Sequence, residues 1–152
     1  YTTLFRSEEY KDADIITVHE ESTNQLYSCL NKIKKLGIKA GVAINPGTPV
    51  NTLTEVLDIV DQVLVMTVNP AMLGEKFIKN TVKKIMKLKE IKENNHYFFD
   101  IEVDGNINDE TIIPCYTSGA NIFVSGGYIF GHTNPKQRIE RLKNVLGNGK
   151  IE

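Results

Sequence analysis

Three carboxylates at alternate positions, Asp100, Glu102 and Asp104, stand in a β-rich run that ends at Gly105. Period-2 alternation puts all three on one face of a strand. Asp104 is at the strand's carboxyl end, where parallel α/β folds assemble their reactive groups, and a carboxylate there can accept a proton or hold a cation. Glu102, one layer deeper, needs a partner when buried; Lys39, at the start of a strand two places away, is the candidate. A second strand end reads Thr17-Val18-His19-Glu20-Glu21, where His19 is either a packed, hydrogen-bonded imidazole or a functional one. A third reads Asn45-Pro46-Gly47-Thr48-Pro49, turn chemistry suited to positioning the next helix. Cys29 and Cys115 have neither Cys-x-x-Cys spacing nor a Cys/His cluster, so no disulfide framework or structural zinc is expected, and both thiols are expected to be buried or inert.

The elements that must position these groups alternate strand with helix, the pattern of parallel βα units. Strands are expected at Ile15 to Glu20, Lys39 to Ile44, Val63 to Val68, Phe98 to Asp104 and Asn121 to Ser125. Between the first two, Leu26, Cys29, Leu30 and Ile33 recur at helical spacing within Ser22 to Leu36, with Ser22 or Thr23 as cap and Gly37 in the left-handed stop. Leu53, Val56, Leu57 and Val60 predict another helix, as do Val82, Ile85, Leu88 and Ile91. A shorter helix runs from Asp109 to near Gly119, and a closing one from Pro135 to Leu146, before a frayed Gly147-Asn148-Gly149 tail. Five such units fit an open doubly wound sheet or part of a (β/α)8 barrel. A complete barrel typically needs about 250 residues, so 152 residues can hold only its later strands.

Composition narrows the partners. With 18 Lys+Arg against 19 Asp+Glu, the net charge is -1, which leaves no electrostatic footprint for nucleic acid or an anionic membrane. No apolar run reaches membrane-span length and Tyr1 to Ser7 lacks signal-peptide order, so a cytoplasmic protein acting on small molecules is expected. Residues 1–7 resemble the translation of a common sequencing adapter; they are expected to be a non-native leader, with a natural helix end as the alternative. Residues 8–152 are then the one natural domain, a partial barrel if the five units are those of a (β/α)8 fold.

The loop Met66-Thr67-Val68-Asn69-Pro70-Ala71-Met72-Leu73-Gly74-Glu75-Lys76-Phe77-Ile78 resembles that of the ribulose-phosphate 3-epimerase family, Met-(Ser/Thr)-Val-x-Pro-Gly-Phe-Gly-Gly-Gln-x-Phe-Ile. Ile101-Glu102-Val103-Asp104-Gly105-Asn106-Ile107-Asn108 is similar to the family's Ile-Glu-Val-Asp-Gly-Gly-Ile-Asn. Ala120 to Phe130 is similar to the family's Gly-Ala-(Asp/Asn)-x-(Phe/Val)-Val-Ala-Gly-Ser-Ala-Ile-Phe, and Ile16 to Glu20 and Lys39 to Pro49 complete five ordered motifs between about Asp12 and Leu146.

The resemblance implies the C-terminal five βα units of an N-terminally truncated (β/α)8 TIM barrel. It also implies inversion of C3 of a ketose phosphate through an enediolate, by two acid/base carboxylates and a divalent metal (Zn, Fe, Mn or Co). Asp104 matches one carboxylate and one metal ligand; the family's other ligands, two His and an Asp, match nothing in this chain. Gly74, Gly105, Asn106, Gly126 and Gly127 match the phosphate and substrate loops, and His19 and Met66 match residues lining the pocket. A sugar phosphate is the implied partner, and a homo-oligomer the implied state of the full-length protein. Pro70 to Glu75 replaces two family glycines with Ala71 and Leu73, which would be strained at φ > 0. Asn106 stands for the second glycine of Asp-Gly-Gly, as in paralogues acting on hexulose phosphates, such as allulose-6-phosphate 3-epimerase. The alternatives are another phosphate-binding barrel, a phosphosugar aldolase, synthase or decarboxylase, and a degenerate sugar-phosphate-binding relative.

Overall fold

The computed structural model describes residues 14–70 and 74–147. Five parallel strands form one sheet: β1 (Ile15–His19), β2 (Lys39–Ile44), β3 (Gln62–Met66), β4 (Asp100–Asp104) and β5 (Ile122–Val124). Their spatial order is their chain order. Every crossover therefore steps the same way, and right-handed crossovers then place all connecting helices on one face. A doubly wound sheet reverses direction at a switch point; the described strands contain no such reversal. Between the strands lie α1 (Leu26–Lys35), α2 (Val82–Asn95) and α3 (Ile112–Ser118), and α4 (Gly127–Phe130) and α5 (Pro135–Gly147) follow β5.

Strand alternation sorts the sheet into two unlike faces. Ala40, Val42, Ile44, Val63, Val65, Ile101 and Val103 point to the helix layer, each at most 1% exposed. They pack with Leu30, Ile33, Leu53, Leu57, Ile85, Leu88, Ile112 and Leu142 into one core. On the opposite face Thr17 and Val124 are exposed, and Leu64, Glu102 and Asp104 are half-buried.

Local hydrogen bonding moves several boundaries from those the pattern predicts. The helix expected from Ser22 starts at Leu26, because both candidate caps are engaged elsewhere. Ser22 Oγ donates to the His19 carbonyl at 2.7 Å, closing a 3-10 turn over Glu20–Ser22, and Thr23 Oγ1 accepts the Gln25 N–H at 3.0 Å. β1 therefore ends at His19 rather than Glu20. Gly37 takes the left-handed stop at φ +78°.

The helix predicted from Leu53 to Val60 is instead a 3-10 turn, Val50–Leu53, followed by further turns. Thr52 and Thr54 hydroxyls donate back to the carbonyls of Pro49 and Asn51, and such back-bonding favours i−3 closure over the α ladder. The apolar face survives: Leu53, Val56, Leu57 and Val60 are all buried.

β3 runs from Gln62 to Met66, leaving the ladder before Val68. β4 starts at Asp100, with Phe98 94% exposed before it. β5 is only Ile122–Val124; before it the Asn121 side chain accepts the Ile101 N–H and donates to the Asp100 carboxylate, and after it the Ser125 hydroxyl donates to the Ile107 carbonyl. α3 begins at Ile112 rather than Asp109, after Asn108 Oδ1 accepts the N–H groups of Glu110 and Thr111. Gly147 closes α5; the remainder of the expected tail, and residues 1–7, lie outside the described residues.

Candidate active site

β4 delivers Asp104 to the carboxyl end of the sheet, in register with Met66 of β3 and Val124 of β5. The chain then turns at Gly105, at φ +128°. A Cβ there would stand 2.6 Å from Val68 Cγ2 and 2.8 Å from Val68 N, so only glycine lets the loop after β4 lie against the loop after β3. Thr67, fully buried, joins the two. Its N–H donates to the Asp104 carbonyl at 2.8 Å, and its hydroxyl lies 2.9 Å from that oxygen and 2.6 Å from the Gly105 carbonyl. Asn106 takes the left-handed region at φ 51°, as asparagine tolerates better than most residues, and its carbonyl accepts the Thr111 hydroxyl. These bonds fix the backbone around Asp104 without using its carboxylate.

Burial pushes the Asp104 carboxyl above the ordinary range, against a hydrogen bond from the Gly105 N–H that works the other way. Glu102 is raised as well, by burial first and then by the charge of Asp104. Glu102 does pair, but with Gln62 Nε2 rather than Lys39. Gln62 sits on the same face, in register with Asp100, and is buried; its neutral amide reaches Glu102 without desolvating a second charge. Lys39 stays exposed at the foot of β2, opposite Ile15. A half-buried carboxylate of raised proton affinity, held on a rigid strand, is what general acid/base catalysis asks for.

The other expected site residues occupy the same end of the sheet. His19 closes β1, its Nδ1 3.1 Å from Glu21 Oε2. Met66 is buried beside Asp104 in the register. Gly74 has φ +76°, while Ala71 and Leu73, where strain is expected, lie outside the described residues. Gly126 and Gly127 open α4 just past β5 with ordinary negative-φ backbone. Beyond the chain neighbours and the backbone of α4 itself, no atom lies within 4 Å of where either Cβ would be. Neither the local fold nor its packing requires glycine there, and the space a side chain would fill is open.

Sequence reasoning missed two groups. Thr67 reads as an ordinary strand residue. Glu21 reads as a surface charge, yet its Oε1 accepts the Asn45 N–H at 2.7 Å and the Thr48 hydroxyl. Its position two residues after a strand-end histidine is the signal that could have found it.

Among the described residues no three His, Cys, Asp or Glu side chains converge on a point that could hold a metal ion. Asp104 is one carboxylate where divalent ions take about four or more ligands, so the described residues do not form a metal site. Both cysteines are free, and burial pushes the Cys115 thiol up to about 11. A cleft of about 600 Å³ between α2 and α3, lined by Lys83, Met86, Lys87 and Thr117 among others, lies in the helix layer, away from the strand ends.

The ribulose-phosphate 3 epimerase family matches residues 4–130. The chloroplastic ribulose-5-phosphate-3-epimerase of Arabidopsis thaliana is 41% identical over 133 residues, covering 86% of this chain and 47% of that protein. The ribulose-phosphate 3-epimerase of Bacillus subtilis (strain 168) is 40% identical over 132 residues, covering 86% of this chain and 61% of that one. The chain therefore spans between 47% and 61% of the length of these two relatives. Among solved structures it is similar to a ligand complex of KGPDC from Streptococcus mutans, at TM-score 0.74 and 18% identity over 93% of this chain and 66% of that one. It is also similar to 3-hexulose-6-phosphate synthase from Salmonella typhimurium, at TM-score 0.71 and 20% identity over 95% of this chain and 67% of that one. These structural likenesses are of fold.

Proposed function

The chain belongs to the ribulose-phosphate 3-epimerase family, and from that premise we propose that it forms the later five βα units of a (β/α)8 barrel. The whole protein then inverts C3 of ribulose 5-phosphate or a related ketose phosphate by proton transfer through an enediolate. The observation that carries this reading is Asp104, a half-buried carboxylate of raised proton affinity at the carboxyl end of an inner strand. A proton alpha to a carbonyl is weakly acidic, so its removal needs a base fixed in place, with a pKa drawn toward the working pH. Asp104 takes that proton on one face of C3 or returns it there. The opposite face needs a second acid/base group, supplied by a part of the protein outside this chain.

Gly105, Gly126 and Gly127, with Gly74 across the loop, are the backbone on which the sugar phosphate rests; glycine lets N–H groups approach an anion closely. Asn106, His19 and Met66 line the pocket. One carboxylate does not hold a divalent ion, so metal binding is proposed for the whole protein and not for this chain, as are homo-oligomer formation and a cytoplasmic location. The aldolase, synthase or decarboxylase alternative has only fold likeness behind it.

A coupled assay with ribulose 5-phosphate tests the reading. The whole protein should turn the substrate over and lose activity to a chelator, and the isolated 152-residue chain should show no turnover and no stoichiometric divalent-metal binding. Metal-dependent turnover by the chain alone, or none by the whole protein, would overturn it.

A further inference from the structure

Glu21 joins two segments 24 residues apart. One carboxylate oxygen, Oε2, meets His19 Nδ1 at 3.1 Å. The other, Oε1, accepts the Asn45 N–H at 2.7 Å and the Thr48 hydroxyl. From the opposite side, Lys84 Nζ on α2 donates to the Asn45 carbonyl at 2.7 Å and to the Thr48 carbonyl. The loop after β2 thus has its donors bound by an anion and its acceptors by a cation. The 3-10 turn closed by Ser22 on the His19 carbonyl carries Glu21 back over β1's end. Burial alone would raise the Glu21 pKa, but hydrogen bonds from Thr48, Asn45, its own N–H and His19 bring it below the usual value, so it is an anion at neutral pH.

An ionised carboxylate has no proton to donate, so the hydrogen in the His19 contact belongs to Nδ1. In the neutral ring this leaves Nε2 with a lone pair, since the bond made by one nitrogen fixes the state of the other. We propose that Glu21 is a positioning residue: it fixes His19 as the Nδ1–H tautomer, so that Nε2 is an acceptor for a substrate hydroxyl, and it locks the Asn45–Thr48 loop to the same carboxylate. The substrate-facing part rests on the epimerase reading above; the tautomer does not. A lone pair at Nε2 suits the hydroxyl-bearing carbons of a ketose phosphate and repels its phosphate, which orients the sugar between β1 and the glycines after β5.

The test uses the 152-residue chain with nitrogen-15 histidine, in which only His19, His96 and His132 contribute. At alkaline pH, where imidazoles are neutral, long-range nitrogen–hydrogen couplings identify the protonated nitrogen. His19 should be Nδ1–H in the wild type and in Thr48→Val, and should pass to the Nε2–H form in Glu21→Ala. An Nε2–H ring in the wild type overturns the proposal whether or not the variants fold, and so does a tautomer that Glu21→Ala leaves unmoved. In the whole protein Glu21→Ala should raise KM for ribulose 5-phosphate about tenfold, the worth of one hydrogen bond, with kcat within about threefold. An unchanged KM overturns the substrate-facing role. Absence of turnover in the whole wild-type protein defeats the epimerase reading alone and leaves the tautomer result standing.

Discussion

The two faces of the sheet are built from the same strands and obey opposite rules. Ile101 and Val103 on β4 are at most 1% exposed against the helices, while Glu102 and Asp104, between and beyond them, face the other way and are half-buried. On β3, Val63 and Val65 are fully buried and Leu64 is not. Hydrocarbon packed on one side holds the strands rigid, and the other side can then carry carboxylates whose burial raises their proton affinity. Stability and chemistry are divided by a single step of the pleat.

The largest expected effect tests that division directly. Ile101→Ala on the helix side should cost about 2–5 kcal/mol, a large part of a typical total of about 5–15 kcal/mol. Leu64→Ala, already part-solvated, should cost less than half as much. Urea denaturation midpoints at unchanged m-value measure both. Equal losses would mean that the two faces share the load.

A smaller effect comes from pH. The Asp104 and Glu102 pKa values are higher in the fold than in the unfolded chain, so the folded state binds more protons between the two values, and stability falls as pH rises through that window. Glu21 runs the other way: its pKa is lowered, so its contribution is present at neutral pH and is lost as pH falls through the folded value. Asp104→Asn should therefore gain thermal stability over wild type as pH rises from about 4 toward 7. A widening deficit across that range would contradict the burial of Asp104.

The smallest effect separates the two thiols. Cys115 is fully buried, with its thiol pushed up to about 11, whereas Cys29 is only partly covered. A maleimide applied to the native chain at mild alkaline pH should modify Cys29 well before Cys115; simultaneous labelling would show that the helix side opens.

What could be read in advance follows the same division. The helix face is a matter of apolar period, and β2 is found at both ends because the run from Ile38 to Ile44, apolar but for Lys39, lies between Gly37 and Asn45-Pro46. Asp104 is legible from alternation and the glycine after it. The polar details are not, because they depend on contacts distant in sequence. Gln62 reaches Glu102 across 40 residues through a strand register that no local pattern encodes. Ser22 and Thr23 look like caps and serve a turn. Glu21 looks solvated and joins two loops.

The most direct test of the role assigned to the open face is the turnover of ribulose 5-phosphate by the whole protein carrying Asp104→Asn. Asparagine keeps the shape at the end of β4 and removes the proton acceptor. A fall of about 10²- to 10⁴-fold in rate, with the fold intact by circular dichroism, is the predicted result. Exchange of the C3 proton with solvent should fall in parallel. Near-normal turnover by the folded variant would contradict the assignment of Asp104 as the acid/base group.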